Sequence, residues 1–363
     1  FESDINQVFR TLEEQYLGKD APKLNVAFFD IEVDFDPERG YASPDDAFMP
    51  ITAIAVHLQW LDTLVCLAIP PKTLNMEQAK EAVKDFPNTY LIETEAEMLD
   101  MFLDLIAEAD VLSGWNSEGF DIPYIINRIT LVLSKDDTRR FCLWDQFPKV
   151  REYEKYGKTS STYDLVGRVH MDYMELYRKY TYEERHSYSL DAIGEYELDE
   201  RKIAYEGTLD QLYNKDFPKF IDYNRQDTML LAKLDKKLKF LDLANEVAHD
   251  NTVLLQTAMG AVAVTEQAII NEAHQRGLIV PNKRKDEQEN TQAAGAYVAT
   301  PKRGIHEWVG AVDINSLYPS AIRALNMAPE TIIAQVRQTL TDQYMKEKGA
   351  KLAREKKHYK EGE

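Results

Sequence analysis

The chain has 363 residues, of which 44% are hydrophobic and 29% are charged, enough for about two or three folded domains and too apolar for a disordered chain. No apolar run is long enough to cross a bilayer, and the two cysteines, Cys66 and Cys142, lack the spacing of a metal site, so we expect a reduced, cytoplasmic protein without a membrane span. The net charge of −19 argues against nucleic-acid binding. Residues 1–150, however, hold 28 acidic and 12 basic residues and so contribute −16 of that charge. The rest of the chain could therefore carry a locally basic surface.

Strands and helices alternate along the first half of the chain. A helix at 4–17 ends before Gly18 and Pro22, and residues 25–33, NVAFFDIEV, form a continuous apolar run of strand length. The elements predicted next are β-rich segments at 51–60 and 63–69 joined by a turn at 61–62, helices at 77–86 and 95–109, a short strand at 111–115 and a helix at 122–133. This alternation predicts an α/β domain with a mixed central sheet and flanking helices.

The second half of the chain combines a hairpin, helices, a linker and the start of another domain. Residues 156–171 place turn chemistry between β-prone flanks, which predicts a protruding hairpin. The remaining predicted elements are helices at 190–196, at 222–241 and over most of 240–276, a polar linker at 281–292, and an apolar strand at 308–314.

Asp30 and Glu32 lie two residues apart in the apolar run, so both side chains leave the same face of the predicted strand. Charges in so apolar a segment carry a heavy desolvation cost unless a partner compensates for it. A divalent cation would do so, and carboxylate oxygens without a Cys or His cluster suit Mg²⁺ or Mn²⁺. A strand end whose acids pair with Arg or Lys is the alternative.

Asp121 lies in GWNSEGFDIPYIINR, between the strand predicted at 111–115 and the following helix. The position suits a helix N-cap, with Pro123 in the first turn. Asn116 and Phe120 of the same loop offer an amide and a ring that suit contact with an unpaired nucleotide. Capping alone and a functional carboxylate both remain open for Asp121.

Tyr223 and Asp227, in YNRQD, are four residues apart and share one face of the predicted helix. Most such pairs are surface neighbours. In the functional interpretation, the phenol orients a water beside a metal-bound carboxylate, and the metal lowers the pKa of that water.

The order of these motifs resembles that of the exonuclease motifs of family B DNA polymerases. DIE on an early strand, NSEGFDIPYI before a helix and YNRQD late on a helix are similar to the tyrosine-containing type with four carboxylates, and SYSLD at 187–191 is similar to a further family segment. After the linker, DINSLYPS at 313–320 resembles the palm motif with the first metal-binding aspartate, and GAYV at 295–298 resembles the element that joins the two regions. With NMAPET at 326–331, the run over roughly residues 25–335 looks like the replicative polymerases of T-even-type bacteriophages.

The resemblance implies an RNase H-like exonuclease domain followed by a partial polymerase palm. Four carboxylates, Asp30, Glu32, Asp121 and Asp227, would hold two Mg²⁺ or Mn²⁺ ions, and Tyr223 would position the attacking water in a 3′→5′ proofreading exonuclease. In the exonuclease domain, the resemblance also implies that Asn116 and Phe120 contact the unpaired 3′ end and that the hairpin at 156–171 separates primer from template. Near the palm, it implies that Gly295 and Tyr297 contact DNA. In the palm itself, it implies that Asp313 and the Ile314 carbonyl bind metal and that Tyr318 stacks under the incoming sugar.

The resemblance also divides the chain and implies its partners. The expected regions are a remnant of an N-terminal domain at 1–24, the exonuclease domain at 25–245, a helical connector and linker at 246–292, the start of the palm at 293–340 and a charged tail at 341–363. The expected partners are single-stranded and primer–template DNA, with a sliding clamp as a further candidate. The expected location is the cytoplasm, which is that of an infected bacterium if a phage encodes the chain.

Two family motifs are missing from the chain: a second palm carboxylate motif and the lysine-rich fingers helix. The polymerase site is therefore expected to be incomplete, and the chain alone is expected not to extend a primer. A second chain with the rest of the palm, the fingers and the thumb is an expected partner, whether the chain is a natural half of a split polymerase or a fragment. A subunit whose main role is to complete that palm is the alternative function, and an acidic binding module whose carboxylates only cap and pair is the third interpretation.

Overall fold

The computed structural model describes residues 2–155, 158–282 and 297–328, together with residues 331, 333 and 346. The chain forms two compact units, residues 1–285 and residues 286–363. No helix in the part of the chain that the structure describes is long and apolar enough to span a membrane.

The first unit is built around a mixed β-sheet. The described strands are, in chain order, β1 (Val26–Val33), β2 (Ile51–Leu58), β3 (Thr63–Ala68), β4 (Thr89–Leu91), β5 (Val111–Ser113), β6 (Lys149–Lys155), β7 (Lys158–Asp164) and β8 (Val169–His170). Six of them form one sheet in the order β4–β3–β2–β1–β5–β8, while β6 and β7 pair as a separate hairpin. Strand β1 is antiparallel to β2 and parallel to β5, and this mixed sheet confirms the predicted α/β class.

Helices connect these strands and cover the sheet. The described helices are α1 (Gln7–Tyr16), α2 (Met76–Ala82), α3 (Glu95–Leu105), α4 (Asp121–Val132), α5 (Tyr173–Tyr180), α6 (Leu190–Leu198), α7 (Leu209–Lys215), α8 (Phe217–Leu238), α9 (Phe240–Asp250), α10 (Ala261–Gln275) and, in the second unit, α11 (Leu317–Ala324). Helix α8 begins five residues before the predicted start at 222. The side chain of Asp216 caps it by accepting a hydrogen bond from the backbone N–H of Lys219, and Pro218 fits its first turn.

The alternation of side chains along β1 creates two different faces. The odd-numbered residues Ala27, Phe29 and Ile31 are buried in the core that includes α3 and α4. The even-numbered residues Val26 and Phe28 are buried in the core that includes α5, α6 and α8. Because side chains alternate with period two, Asp30 and Glu32 continue the face that α8 covers.

A hydrogen-bonded cluster, which we call the clasp (Glu2, Ser3, Glu13, His274 and Asn282), joins residues near both ends of the first unit. The His274 ring nitrogens lie 2.8 Å from Glu2 Oε1 and 2.7 Å from Glu13 Oε1. The backbone N–H of Ser3 donates to Asn282 Oδ1 at 3.0 Å. Burial lowers the pKa of His274, but hydrogen bonds to the two carboxylates outweigh burial and leave that pKa raised.

The hairpin lies earlier in the chain than predicted. Strands β6 and β7 pair from Lys149 opposite Asp164 to Lys155 opposite Lys158, so the prediction of 156–171 is wrong at both ends. The first strand, KVREYEK, is too rich in charged residues to show an apolar strand pattern. Beyond Asp164 the chain leaves the hairpin and joins the main sheet as β8. The turn residues 156 and 157 lie outside the described residues.

The second unit lacks the strand predicted at 308–314. Residues 308–314 are described without strand structure, and the hydrophobic side chains among them are exposed. Backbone groups of a strand need a neighbouring strand to bond with, and the described residues of this unit, 297–328 with 331, 333 and 346, provide none. The predicted linker at 281–292 and the tail at 341–363 fall almost wholly outside the residues that the structure describes.

Candidate active site

The candidate site lies where β1 extends beyond its neighbour β5. The two strands pair only from Val26 opposite Val111 to Phe28 opposite Ser113. Strand β1 continues for five more residues and stays paired with β2 on its other side. Asp30 and Glu32 therefore stand beside an opening at the carboxyl ends of two parallel strands, the place where open α/β sheets usually bind ligands.

Helix α8 brings a third carboxylate to the same face of β1. Asp227 is 2% exposed, and one oxygen each from Asp30, Glu32 and Asp227 all lie within 4.8 Å of one another. Asn224, one turn earlier on α8, donates from Nδ2 to Asp30 Oδ2 at 2.9 Å and is fully buried. The cluster thus depends on the packing of α8 against β1, because neither element alone assembles it.

Asp121 lies beside this three-carboxylate cluster, at the start of α4. Phe120 holds the N-cap position and Asp121 is the first helical residue, so of the two alternatives for Asp121, the helix cap is excluded. Its charge nevertheless acts on the cluster, since the negative charges of Asp30 and Asp121 affect one another and Glu32. Asp121 is 7% exposed, which leaves it poor access to solvating water.

The loop before α4 approaches β1 closely because of Gly114. A Cβ at this position would lie 2.7 Å from the Cβ of Ser117 and 3.1 Å from the carbonyl oxygen of Phe29. The carboxylate of Asp172 anchors the other side of the loop by accepting the backbone N–H groups of Asn116 and Glu118, at 3.0 and 3.1 Å. The backbone of this loop is thereby fixed next to the carboxylates.

Burial raises the pKa of all four predicted carboxyl groups, and repulsion between neighbouring charges adds to it. Burial and the charge of Asp227 raise the pKa of Asp30 to about 7. Burial and the charge of Asp30 raise the pKa of Glu32 and of Asp121 well above their ordinary values. The pKa of Asp227 is raised by burial as well, against the opposing effect of Lys202. Four acids at one site are therefore unstable together as anions unless positive charge is added.

Lys202 supplies one positive charge to the site. Its Nζ donates to Asp227 Oδ2 at 2.5 Å and to the Tyr223 hydroxyl at 3.2 Å. Burial lowers the pKa of Lys202, but the charges of Asp227 and Asp30 outweigh this and raise it. The ammonium is therefore retained at neutral pH, although one cation cannot balance four carboxylates.

The donor set of the site fits a divalent metal ion. Asp227 Oδ1 is buried and has no hydrogen-bond partner among the residues that the structure describes, and a buried carboxylate oxygen without a partner is costly. The three oxygens that lie within 4.8 Å of one another have the spacing of a shared cation site. Oxygen ligands without sulfur favour hard cations. Asp30, Glu32 and Asp227 could thus hold a metal ion.

The other predicted contact residues lie around the site or in the second unit. Asn116 is exposed, in a left-handed conformation with φ of 59°, and Phe120 stacks on Tyr124 with ring centroids 5.2 Å apart. In the second unit, the residues predicted to bind DNA, metal or nucleotide are all exposed, namely Tyr297, Asp313, Ile314 and Tyr318. Gly295 lies outside the described residues.

Three residues at the site have no role in the sequence predictions, namely Lys202, Asn224 and Asp191, although Asp191 belongs to the quoted segment SYSLD. The Asp191 carboxylate accepts the backbone N–H of Lys202 at 2.8 Å and so holds the segment that carries the lysine. Asn224 sits between Tyr223 and Asp227 in YNRQD, and its place in that motif is a signal that could have drawn attention to it. Lys202 lies in a polar stretch with no periodicity, so only the fold brings it to the site.

Two family models match the chain. The model described as "DNA polymerase family B, exonuclease domain" matches residues 2–193, and that described as "DNA polymerase family B" matches residues 252–361. The first match includes Asp30, Glu32 and Asp121.

Several characterised proteins are similar to the chain. It is 28% identical over 333 residues to the DNA-directed DNA polymerase of Escherichia phage RB69, covering 86% of the chain and 36% of the phage protein. It is 28% identical over 245 residues to the enzyme of the same name from Enterobacteria phage T4, covering 67% of the chain and 27% of the phage protein. A match to DNA polymerase 1 of Saccharolobus solfataricus, at 26% identity, covers 92% of the chain and 38% of that protein. The chain therefore spans only about a third of the length of these relatives.

Proposed function

Because the chain belongs to the family B DNA polymerases, we propose that its first unit is a 3′→5′ exonuclease that hydrolyses the 3′-terminal phosphodiester of single-stranded DNA during proofreading. The mixed sheet with flanking helices is the RNase H-like fold of the exonuclease domains of this family. The observation that carries the proposal is the group of Asp30, Glu32 and Asp227, in which one oxygen from each residue lies within 4.8 Å of the others.

Two divalent ions, Mg²⁺ or Mn²⁺, would be held by Asp30, Glu32, Asp121 and Asp227. When bound, such ions supply Lewis-acid stabilisation of phosphoryl oxygens and a lower pKa for water. The raised pKa values of these carboxyl groups support the proposal, because cations reverse the like-charge repulsion that causes them. The unpartnered Asp227 Oδ1 is the atom that gains most from a bound cation.

Tyr223 and Lys202 would act on the water and on the phosphate. Burial and the charge of Asp227 raise the pKa of Tyr223, so its hydroxyl stays protonated at neutral pH and serves as a hydrogen-bond donor rather than a base. This hydroxyl accepts a hydrogen bond from Lys202 Nζ and acts on the Asp227 carboxylate, whose pKa it lowers, so it would orient a water beside that carboxylate. The ammonium of Lys202 adds positive charge where a phosphate anion would approach.

The exonuclease proposal can be tested with a 5′-labelled single-stranded oligonucleotide. The chain in Mg²⁺ should shorten it stepwise from the 3′ end, and excess chelator should stop this. The double variant Asp30→Ala, Glu32→Ala should lose at least about 99% of the activity. A matched control, Asp222→Ala with Glu93→Ala, removes two exposed carboxylates and should retain it. Undiminished shortening by the Asp30, Glu32 variant contradicts the proposal.

For residues 293–340 we propose the start of a polymerase palm. Asp313 and the carbonyl of Ile314 would bind catalytic metal, Tyr318 would stack under the incoming sugar, and Gly295 and Tyr297 would contact primer–template DNA. The hairpin formed by β6 and β7 would separate primer from template, and Asn116 and Phe120 would contact the unpaired 3′ end. The match of residues 252–361 to the polymerase family supports the palm.

The alternative function is that of a subunit that completes a palm together with a second chain. Exposed hydrophobic side chains in the second unit favour it, since Ile305, Trp308 and Val312 are 97% to 100% exposed and large apolar patches mark interaction surfaces. The partner would supply the remaining palm, the fingers and the thumb. A sliding clamp would be a further partner of that assembly, in the cytoplasm of an infected bacterium if a phage encodes both chains.

Primer extension tests this alternative. The chain is mixed with a candidate second chain that carries the other palm carboxylates, and incorporation is compared with that of each chain alone. We expect extension only by the mixture, and its loss when Trp308→Asp and Val312→Asp are combined. No gain on mixing contradicts the palm-completing role, and robust extension by the chain alone contradicts the expected incomplete polymerase site.

A further inference from the structure

Two side chains from the segment between α6 and α7, residues 199–208, contact Tyr223. One is Lys202, which donates to the Tyr223 hydroxyl at 3.2 Å and lies 5.3 Å from the centre of its ring. The other is Tyr205, whose ring stands edge-on to the ring of Tyr223, with centroids 5.3 Å apart and an angle of 89° between the planes. Tyr223 is thus contacted by a cation and by an aromatic ring that come from the same short segment.

This segment is held at its two ends by its own backbone and near its middle by Asp191, whose carboxylate accepts the Lys202 N–H. Asp199 ends α6 in a left-handed conformation, with φ of 57°, and its N–H bonds back to the carbonyl of Glu195 at 3.0 Å. Gly207 has φ of 84°, which favours glycine, and a Cβ there would lie 2.4 Å from Gln211 Oε1. Because both ends of the segment are set independently, its side chains are held ready before any substrate arrives.

Tyr205 and Tyr223 pack against a common apolar cluster. Both rings are partly buried on the group that includes Leu212, Phe217 and Phe220. The two tyrosines therefore pack on the same apolar surface. Burial and the negative charge of Glu32 raise the pKa of the Tyr205 phenol. The ring thus borders the site and is not merely part of a distant core.

The contact that Tyr205 makes is through its ring. In the residues that the structure describes, no hydrogen bond of the Tyr205 hydroxyl is found. An edge-to-face pair of aromatic rings has a preferred geometry and resists rotation of either ring. The Tyr223 hydroxyl lies on the axis about which its ring turns, so its bond to Lys202 is lost only when the whole ring swings about the Cα–Cβ bond, and the Tyr205 ring packed against it opposes that swing. Loss of the Tyr205 ring would leave one side of Tyr223 open.

We propose that Tyr205 is a positioning residue that holds the ring of Tyr223 so that its hydroxyl stays with Lys202 and beside Asp227. This inference rests on the proposed exonuclease function, in which Tyr223 orients the water. It assigns Tyr205 no direct role in the chemistry. The ring is what matters, and the Tyr205 hydroxyl is dispensable.

Steady-state hydrolysis of single-stranded DNA by the full chain tests the proposal. Tyr205→Phe should retain kcat, whereas Tyr205→Leu should lower kcat about fivefold with KM unchanged within about twofold. In a Tyr223→Phe background, Tyr205→Leu should cause no further loss, because the hydroxyl that it positions is absent. Tyr196→Leu is the control at an exposed tyrosine and should leave kcat unchanged. Equal losses in both backgrounds, a change confined to KM, or no loss at all would overturn the proposal.

A second measurement does not depend on activity. With 3-fluorotyrosine placed at position 223, the ¹⁹F resonance of the ring should shift and sharpen in Tyr205→Leu, as the ring gains motional freedom, but stay unchanged in Tyr205→Phe. An unchanged resonance in Tyr205→Leu contradicts the positioning role. An inactive wild-type chain with the expected ¹⁹F change would refute the exonuclease proposal and leave the ring contact standing. An active wild type with no ¹⁹F or kcat effect would refute the role of Tyr205 alone.

Discussion

Replacement of Asp30 by asparagine should stabilise the metal-free protein even though it removes a candidate metal ligand. Burial and the charge of Asp227 raise the pKa of Asp30 from 3.8 to about 7. One pKa unit corresponds to about 1.4 kcal/mol, so ionised Asp30 costs the folded state on the order of 4 kcal/mol relative to the unfolded chain. Asparagine keeps a side-chain oxygen to accept the hydrogen bond from Asn224 and removes the charge.

The effect has a defined dependence on pH. The folded-state pKa of Asp30 lies above its unfolded-state value, so the folded protein binds more protons between those two values. The stability of the metal-free wild type should therefore fall as pH rises from about 4 to about 7, while the variant lacks this component. The two proteins should be nearly equal in stability at about pH 4 and differ by a few kcal/mol at about pH 8.

Urea unfolding in the presence of a chelator measures this difference. Free energies of unfolding are compared for the wild type, Asp30→Asn and the control Asp222→Asn, which changes an exposed carboxylate on α8. Addition of Mn²⁺ should stabilise the wild type far more than Asp30→Asn, since ligand binding to the folded state adds stability. A difference that does not change with pH, or a variant that is less stable than the wild type at pH 8, would refute the electrostatic reasoning.

Three further outcomes are expected. Asn224→Ala should weaken Mn²⁺ binding about tenfold in a fluorescence or calorimetric titration, because it removes the donor that orients Asp30; unchanged affinity would show that Asp30 needs no orienting partner. His274→Gln should lower the free energy of unfolding by about 1–2 kcal/mol at low pH. The raised pKa of His274 means that its stabilisation is complete below about 6.5 and is lost as pH rises through the folded-state value, so an equal effect at pH 5 and pH 9 would contradict the ionic clasp. Arg128→Ala should cost about 3–5 kcal/mol in urea unfolding, because it leaves the Glu95 carboxylate, 9% exposed, without its paired guanidinium; a loss below about 1 kcal/mol would mean that water replaces it.

The sheet could be predicted because its strands are long apolar runs. The segment at 25–33 is a continuous apolar run of strand length, and the structure has β1 at Val26–Val33. The hairpin could not be located in the same way, since KVREYEK contains no apolar face from which to read a strand. The strand predicted at 308–314 failed for a different reason. An apolar segment becomes a strand only when another strand pairs with it.

The candidate site, too, contains residues that local sequence patterns could place and residues that only the fold brings together. Asp30 with Glu32, and Tyr223 with Asp227, are neighbours in sequence, so strand or helix periodicity places each pair on one face. The meeting of the two pairs depends on α8 lying over β1, which the motif order suggested only through the family resemblance. Lys202 reaches the site from a segment without periodicity, so no local pattern could place it. Its position is a property of the fold.

The clasp between the two ends of the first unit has a mechanical consequence. Ser3 and Asn282 are hydrogen-bonded to each other, so a force that separated these two residues would load the clasp first. The contacts there are a few hydrogen bonds and one histidine between two carboxylates, which are weaker than the ladder that joins β1 to β2. A pull would break the clasp and peel α1 and α10 apart before it reached the strand that carries Asp30. The hydrogen bonds of the clasp would therefore break before those that hold β1 in the sheet.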